Sequence, residues 1–343
     1  MGSPSVSFII PVYNTAPLDL REALASCCFQ TRQVTQIIVV DDGSQNWSEL
    51  QTVVDSFSAC PVEVLHVAHG GPGPAREAAN SVATGDYIIY VDADDVVSAA
   101  IVEAVQFAAG SSFPDVIFFA SGAEVHQTYD GGDLLFYQND DVSRFMNRLV
   151  PGFCRTELRS VWAKAFRREF LKQSDLHFSS LSQGEDQLFM LEVSAFAKLI
   201  AVLPSFCGYR YLRSATSTSF AFDEGKPSTF RELSERMICF LRQHKDYPFL
   251  KEKKEECFYA IACEYVPRLL KIYFCHPENS KTARQRFNEA KKYVYQPPYL
   301  LAIRECRYRM CPTLQKRVQL CLLKVRALRV LFSFYERRKR IRS

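Results

Sequence analysis

The sequence lacks any C-x-x-C pair although it holds 12 cysteines, so zinc-finger spacing is missing and no zinc site is expected. No apolar run approaches the roughly 20 residues a membrane span needs, because charges interrupt every candidate. No secretory leader is legible either: the first apolar stretch, Val6 to Val12, has no basic flank and is broken by Pro11. These absences predict a cytoplasmic protein with reduced thiols. The patterns G-x-x-x-x-G-K-[ST], G-x-G-x-x-G and G-x-S-x-G are all missing, which excludes a P-loop, a dinucleotide fingerprint and a serine-nucleophile elbow. The six histidines lack ligand spacing, and none is assigned to catalysis. Only 14 glycines in 343 residues, with 48% hydrophobic and 13% aromatic residues, exclude collagen-like and disordered classes and leave a packed globular chain.

What is present alternates. Val6–Val12, Gln36–Val40, Val62–Val67, Tyr87–Val91 and Val116–Ala120 read as buried strands, with helical spacing at 18–29, 48–57, 75–82 and 98–109. Strands alternating with helices predict an α/β fold with a mostly parallel sheet flanked by helices. Residues 122–215 read as irregular α+β. Beyond about 222 the chain reads as helices at 229–243, 251–273, 281–293 and 314–335, punctuated by Pro227, Pro248, Pro277 and Pro297-Pro298. The expected division is therefore a catalytic domain over 1–222 and a helical region with a basic tail over 223–343.

Two strands finish in acids, Asp41-Asp42 and Asp92-Ala93-Asp94-Asp95, at the strand ends where open α/β sheets bind ligands. Clustered carboxylates repel, and a divalent cation with oxygen ligands, Mn²⁺ or Mg²⁺, relieves that repulsion. Turn and cap chemistry is the other reading of each acidic pair. Gly70-Gly71-Pro72-Gly73-Pro74 before Arg76 opens a helix whose amides and guanidinium suit a phosphate.

In order, VSFIIPVYN, IIVVDDGS, GGPGPAREAAN, YIIYVDADD, W-x-K and GEDQLF resemble the family 2 glycosyltransferases of GT-A fold over about the first 215 residues. That resemblance implies transfer of a sugar from a nucleotide-diphosphate donor, a UDP-sugar above all, to a saccharide or lipid-linked acceptor hydroxyl. It implies inversion at the anomeric carbon and a divalent metal, in surface-polysaccharide or glycolipid assembly. It puts Pro11, Tyr13, Asn14, Asp41, Asp42, Arg76, Asp92 and Arg213 (or Arg210) on the nucleotide sugar and Asp94 on the metal. Trp162, Lys164 and Glu185 fall on the acceptor side, with Asp186 as general base. Two positions depart from the pattern: Glu77 stands where Asn commonly follows the arginine, placing an acid near the expected pyrophosphate, and Ala163 stands where Asn often precedes the lysine. A sugar-nucleotide nucleotidyltransferase is the rival enzyme, but the loop after the first strand is neither Gly-rich nor basic.

Net charge is +4, yet residues 304–343 hold 13 Lys or Arg against two acids, so the tail carries +11 and the rest −7. The tail helix with Arg337-Arg338-Lys339-Arg340 suits either an anionic membrane surface, on the inner face, or packing with a solvated basic end. A nucleic-acid-binding protein is the non-enzymatic alternative; no recognised motif supports it, and no nucleic-acid partner is expected.

Overall fold

The computed structural model describes residues 2–147, 158–212, 222–245 and 250–339. The chain forms two compact units, 1–215 and 216–343.

In the first unit the order is β1 (Val6–Val12), α1 (Pro17–Cys28), β2 (Gln36–Asp41), α2 (Trp47–Asp55), β3 (Val62–His66), α3 (Pro72–Val82) and β4 (Tyr87–Tyr90). Then come β5 (Val96–Val97), α4 (Ile101–Ala109), β6 (Val116–Ser121), β7 (Leu135–Gln138), α5 (Asp140–Asn147), β8 (Lys164–Arg167), α6 (Arg168–Gln173), α7 (Glu185–Phe196) and β9 (Leu199–Arg210). The sheet order is β3-β2-β1-β4-β8-β6-β9-β5, with β7 also on β9. Strands β3, β2, β1, β4, β6 and β9 share one direction, and β8 is inserted antiparallel between β4 and β6.

Side-chain alternation along these strands divides the core in two. Phe8, Ile10, Ile37 and Val39 pack on one face with α1, α2 and α4, while Ile9, Ile38 and Val40 pack on the other with Ala75 and Ala79 of α3 and Phe189 and Met190 of α7. Helix α3 starts at Pro72, three residues before the apolar spacing suggests, because proline is preorganised for a first turn. Pro11 is tolerated in central β1 because its pairing with β4 ends at Ile9–Tyr90, so no ladder bond is lost there.

The second unit is helical: Lys226–Gln243, a rod from Leu250 to Phe274, Ala283–Val294, Tyr299–Glu305, Leu314–Lys324 and Leu328–Lys339. Three expectations change. Pro227 stands in the first turn of its helix and starts it rather than stopping the chain. The rod contains π-helical turns at Ala260–Tyr265 and Leu270–Phe274, flanking the short α-helical turn that holds Pro267. The single helix expected over 314–335 is two helices. The break is a Schellman closure, with Ala327 N–H donating to Leu322 C=O (2.7 Å), Arg326 N–H to Leu323 C=O (3.1 Å), and Arg326 at φ +59°. Arginine in that left-handed position leaves no glycine signal in the sequence. Leu320, Leu323, Leu328, Leu331 and Phe332 are buried, so the basic tail begins inside a packed unit.

Candidate active site

The site is built where β1, β2 and β4 end and α3 and α7 begin. At the β2 end, Asp41 accepts from the Ser44 N–H (2.9 Å) and meets His66 Nδ1 (3.1 Å). Asp42 is more fully engaged: its two oxygens accept from the N–H groups of Gly70 (2.7 Å) and Gly71 (2.9 Å), and His69 Nδ1 lies 2.9 Å from Oδ2. Both acids expected on the nucleotide therefore also hold loops, Asp42 fixing the entry into α3. Tyr13, half exposed, stacks on His69 at 4.1 Å. Asn14, at φ +49°, accepts the Gln45 N–H on Oδ1 (2.8 Å), so β1 and the D-D-G-S turn are clasped together.

Arg76 is the hub. Its guanidinium is buried and donates from Nη1 to Glu185 (3.1 Å) and Asp186 (2.9 Å) and from Nη2 to Asp92 (2.8 Å). Its Nε is buried with no partner among the described residues. Three sequence-distant segments thus form one charge cluster, which needs α3 and the segment before α7 in close approach. Gly73 permits it: a Cβ there would stand 2.2 Å from the Ser179 carbonyl oxygen. Glu77 does not crowd this cluster. Its carboxylate is turned to His177 Nδ1 (2.7 Å) and the Phe178 N–H (2.9 Å), and Phe178 in turn lies under Arg76. The departure from asparagine is a tether for the strand-to-helix segment.

Asp95 is fully buried and accepts from Tyr209 Oη (2.7 Å) and the Leu212 N–H (2.7 Å), while the Asp92 N–H donates to the same Tyr209 oxygen (3.2 Å). Asp94 is half-buried and is engaged by none of the ion pairs that fix Asp92 or the bonds that fix Asp95. Burial, then repulsion from Asp92, raises the pKa of Asp94, and the same two causes lift Asp95 to about 8. Asp92 is also raised, by burial against the pull of Arg76. Burial and the neighbouring Asp186 bring Glu185 to about 8.

These shifts describe a pocket with more carboxylates than cations, one Arg76 against five acids, which is the donor set a hard divalent cation fits. Among the described residues no three carboxylates bring oxygens within 4.8 Å of one another. A divalent ion here would be held by one or two of these carboxylates.

On the expected acceptor side, Trp162 is buried between Tyr209 (5.3 Å, 18°) and Tyr211 (5.6 Å, 10°). Lys164 is buried, its ammonium donating to the carbonyls of Ser160 (2.7 Å) and Trp162 (3.1 Å) over the Phe118 ring. Between them Ala163 sits at φ +56°, a conformation asparagine adopts more readily than alanine, which accounts for the family's preference there. Trp162 and Lys164 thus brace the turn that brings the Val161 N–H to Asp186 Oδ2 (3.5 Å). Arg210 closes β9 with Nη2 3.9 Å from Glu22; Arg213 lies outside the described residues. Sequence reasoning missed Tyr209, His66 and His69, since a lone Tyr or His carries no spacing signal, and it left Asp95 without a role.

The sequence model of glycosyl transferase family 2 matches residues 7–157. Curated relatives include the uncharacterized glycosyltransferase EpsJ of Bacillus subtilis, 24% identical over 296 residues and covering 84% of each chain. Glycosyltransferase GlyG of Streptococcus pneumoniae is 34% identical over 201 residues, 55% of this chain and 64% of that one. Among solved structures, residues 1–349 of Staphylococcus aureus TarS with UDP-GlcNAc align at TM-score 0.64 and 20% identity, covering 98% of this chain and 91% of the other. The mannosyltransferase PcManGT of Pyrobaculum calidifontis, with GDP-Man and Mn²⁺, aligns at TM-score 0.54 and 14% identity over 95% and 88%. The structural likeness establishes the GT-A fold, and the family match takes in Asp41, Asp42, Arg76, Asp92, Asp94 and Asp95, with Glu185 and Asp186 beyond it. The chain is a glycosyltransferase, and its residues 7–157 match glycosyl transferase family 2.

Proposed function

We propose that this enzyme moves a sugar from a nucleoside-diphosphate donor to an acceptor hydroxyl by a single inverting displacement. The observation that carries the reading is Arg76 binding Asp92, Glu185 and Asp186 together while Asp94 stays free beside them. Asp94, with Asp92 next to it, would hold a divalent ion, whose chemistry when bound is to offset the charge that grows on the departing diphosphate. Tyr13 and Asn14 would line the nucleotide, with Asp41, Asp42 and Pro11 shaping that edge. Asp186 accepts the acceptor proton: Arg76 fixes Oδ1, and the Val161 N–H reaches Oδ2 at 3.5 Å. Glu185, raised to about 8, stays largely protonated at neutral pH and limits the charge around the base. Trp162 and Lys164 position this side by bracing its turn.

A UDP-sugar is the favoured donor, since TarS binds UDP-GlcNAc, and PcManGT's Mn²⁺ supports a metal. Relatives named for succinoglycan biosynthesis and for poly(ribitol-phosphate) glycosylation support a role in surface-polymer assembly, and a saccharide or lipid-linked acceptor. Peripheral attachment to an anionic leaflet is favoured by Leu314, Val318 and Val325, exposed at helical spacing beside basic residues. Among the described residues no helix is long and apolar enough to cross a membrane.

A thermal-shift panel of nucleoside diphosphates and nucleotide sugars, with and without Mn²⁺, tests the reading. Metal-dependent stabilisation by one nucleotide class is expected, with transfer lost in Asp94→Asn and Asp186→Asn while that stabilisation survives in Asp186→Asn. Wild-type stabilisation by no nucleotide would overturn it.

A further inference from the structure

Far from the acidic pocket in sequence, the helical unit gathers three cysteines that no local motif connects. Cys263 lies on the first π-helical turn of the long rod, Cys306 follows the helix Tyr299–Glu305, and Cys311 follows the short turn Tyr308–Met310. All three are buried, and their sulfurs lie within 4.8 Å of one another, with Cys263 Sγ and Cys311 Sγ 3.9 Å apart. We propose that Cys263, Cys306 and Cys311 bind a thiophilic divalent cation, Zn²⁺, as a structural site of the helical unit.

Three readings of such a cluster compete, and distance removes the first of them. A disulfide needs sulfurs about 2.05 Å apart and would leave the third thiol over. Inert packing of small apolar side chains needs no particular charge around it. Tetrahedral zinc with sulfur at about 2.3 Å places its sulfurs about 3.8 Å from each other. The Cys263–Cys311 separation matches that spacing, and the remaining pairs need to close by at most about 1 Å.

The surroundings supply the second observation. Three thiolates around Zn²⁺ carry one net negative charge, and the next helix, Leu314–Lys324, turns three cations to this place. The Lys316 ammonium donates to the Cys263 carbonyl, Arg317 Nε donates to the Cys311 carbonyl (3.4 Å), and Lys324 donates to the Arg304 carbonyl (3.1 Å) two residues from Cys306. These cations serve the backbone carbonyls, and thiolates on a metal would gain from the same positive charge. The cysteines supply three tetrahedral positions and leave the fourth to solvent or a small ligand. On binding, three thiol protons leave as three sulfur–zinc bonds form, with no change of oxidation state.

The C-x-x-C rule misses the site because its ligands come from a π-helical turn and from a C-x₄-C pair more than forty residues later. The test uses the full chain, purified under reducing conditions without a polyhistidine tag. Elemental analysis is expected to find about one zinc per chain, as a single three-thiolate site requires. Titrating the metal-stripped protein with Co²⁺ should give the near-ultraviolet thiolate charge-transfer band and strong visible absorption of a tetrahedral sulfur site, with proton release. Cys306→Ser and Cys311→Ser should each lose both metal and band. Less than about a tenth of an equivalent after loading with Zn²⁺ and desalting, with no Co²⁺ band, overturns the proposal, as does full metal retention in both variants. Should the variants fail to fold, the wild-type Co²⁺ spectrum alone decides.

Discussion

Replacing Arg76 by methionine keeps much of the side-chain volume and removes the one buried cation that three carboxyls share, Glu185 buried and Asp92 and Asp186 partly so. At an effective dielectric of about 20, a charge pair 4 Å apart is worth about 4 kcal/mol, so with Glu185 largely protonated the gross attraction of the two charged partners is on the order of 8 kcal/mol. Desolvating the guanidinium and its partners offsets most of it, and breaking such a buried cluster from one side leaves a net loss of about 3–5 kcal/mol. For a unit of this size that lowers the melting temperature by on the order of 10 °C. The loss must depend on pH. Without Arg76 the raised pKa values of Asp92 and Glu185 climb further, so protonation replaces the missing cation in acid and fails to do so in base. Urea unfolding of both proteins from pH 5 to pH 8 measures this, with the deficit largest at pH 8 and less than half as large at pH 5. A deficit below about 1 kcal/mol at pH 8, or one that does not change with pH, would refute the shared-cation account.

Further outcomes follow from the same cluster and its supports. Glu185 is raised from 4.5 to about 8, so between those values the folded protein holds a proton that the unfolded chain has lost, and stability falls as pH rises through that window. Glu185→Gln should flatten this slope in thermal melts and leave the variant more stable than wild type near pH 8. Gly73→Ala forces a Cβ against the Ser179 carbonyl, so it should cost about 2 kcal/mol or more and lower kcat through a displaced Arg76, measured by melting and turnover together. Glu77→Ala frees His177 and the Phe178 N–H and should cost about 1–2 kcal/mol, with Glu77→Gln recovering part of it. Leu314→Glu with Val318→Glu should abolish co-sedimentation with anionic vesicles while the melting temperature holds, since both side chains are exposed; unchanged sedimentation would discard the membrane reading.

The strands of the first unit were legible because a buried parallel strand is a short apolar run, and Val6–Val12 coincides with β1 residue for residue. Strand β9, twelve residues with Pro204 inside, was lost in the irregular stretch because its pairing shifts register at Phe119, Ala120 and Ser121 of β6. The site acids were legible as strand-end clusters. Their division of labour was not, since Asp41, Asp42, Asp94 and Asp95 look alike in sequence and differ only in what surrounds them. Of the two departures, Glu77 is explained by a hydrogen-bond tether to His177 and Phe178, whereas nothing in the structure explains alanine at the left-handed position 163.

Local chemistry therefore determined the alternation of strands and helices, the acids at strand ends, the arginine at a helix start and the basic tail, because each follows from periodicity or turn preference within a few residues. Tertiary structure alone decided which carboxylates Arg76 binds, which strand-end acids are taken up by hydrogen bonds, and that Cys263 meets Cys306 and Cys311. Those are contacts across 16 to 110 residues of chain, and a pairing at that range is fixed by how elements pack, which no short window of sequence contains.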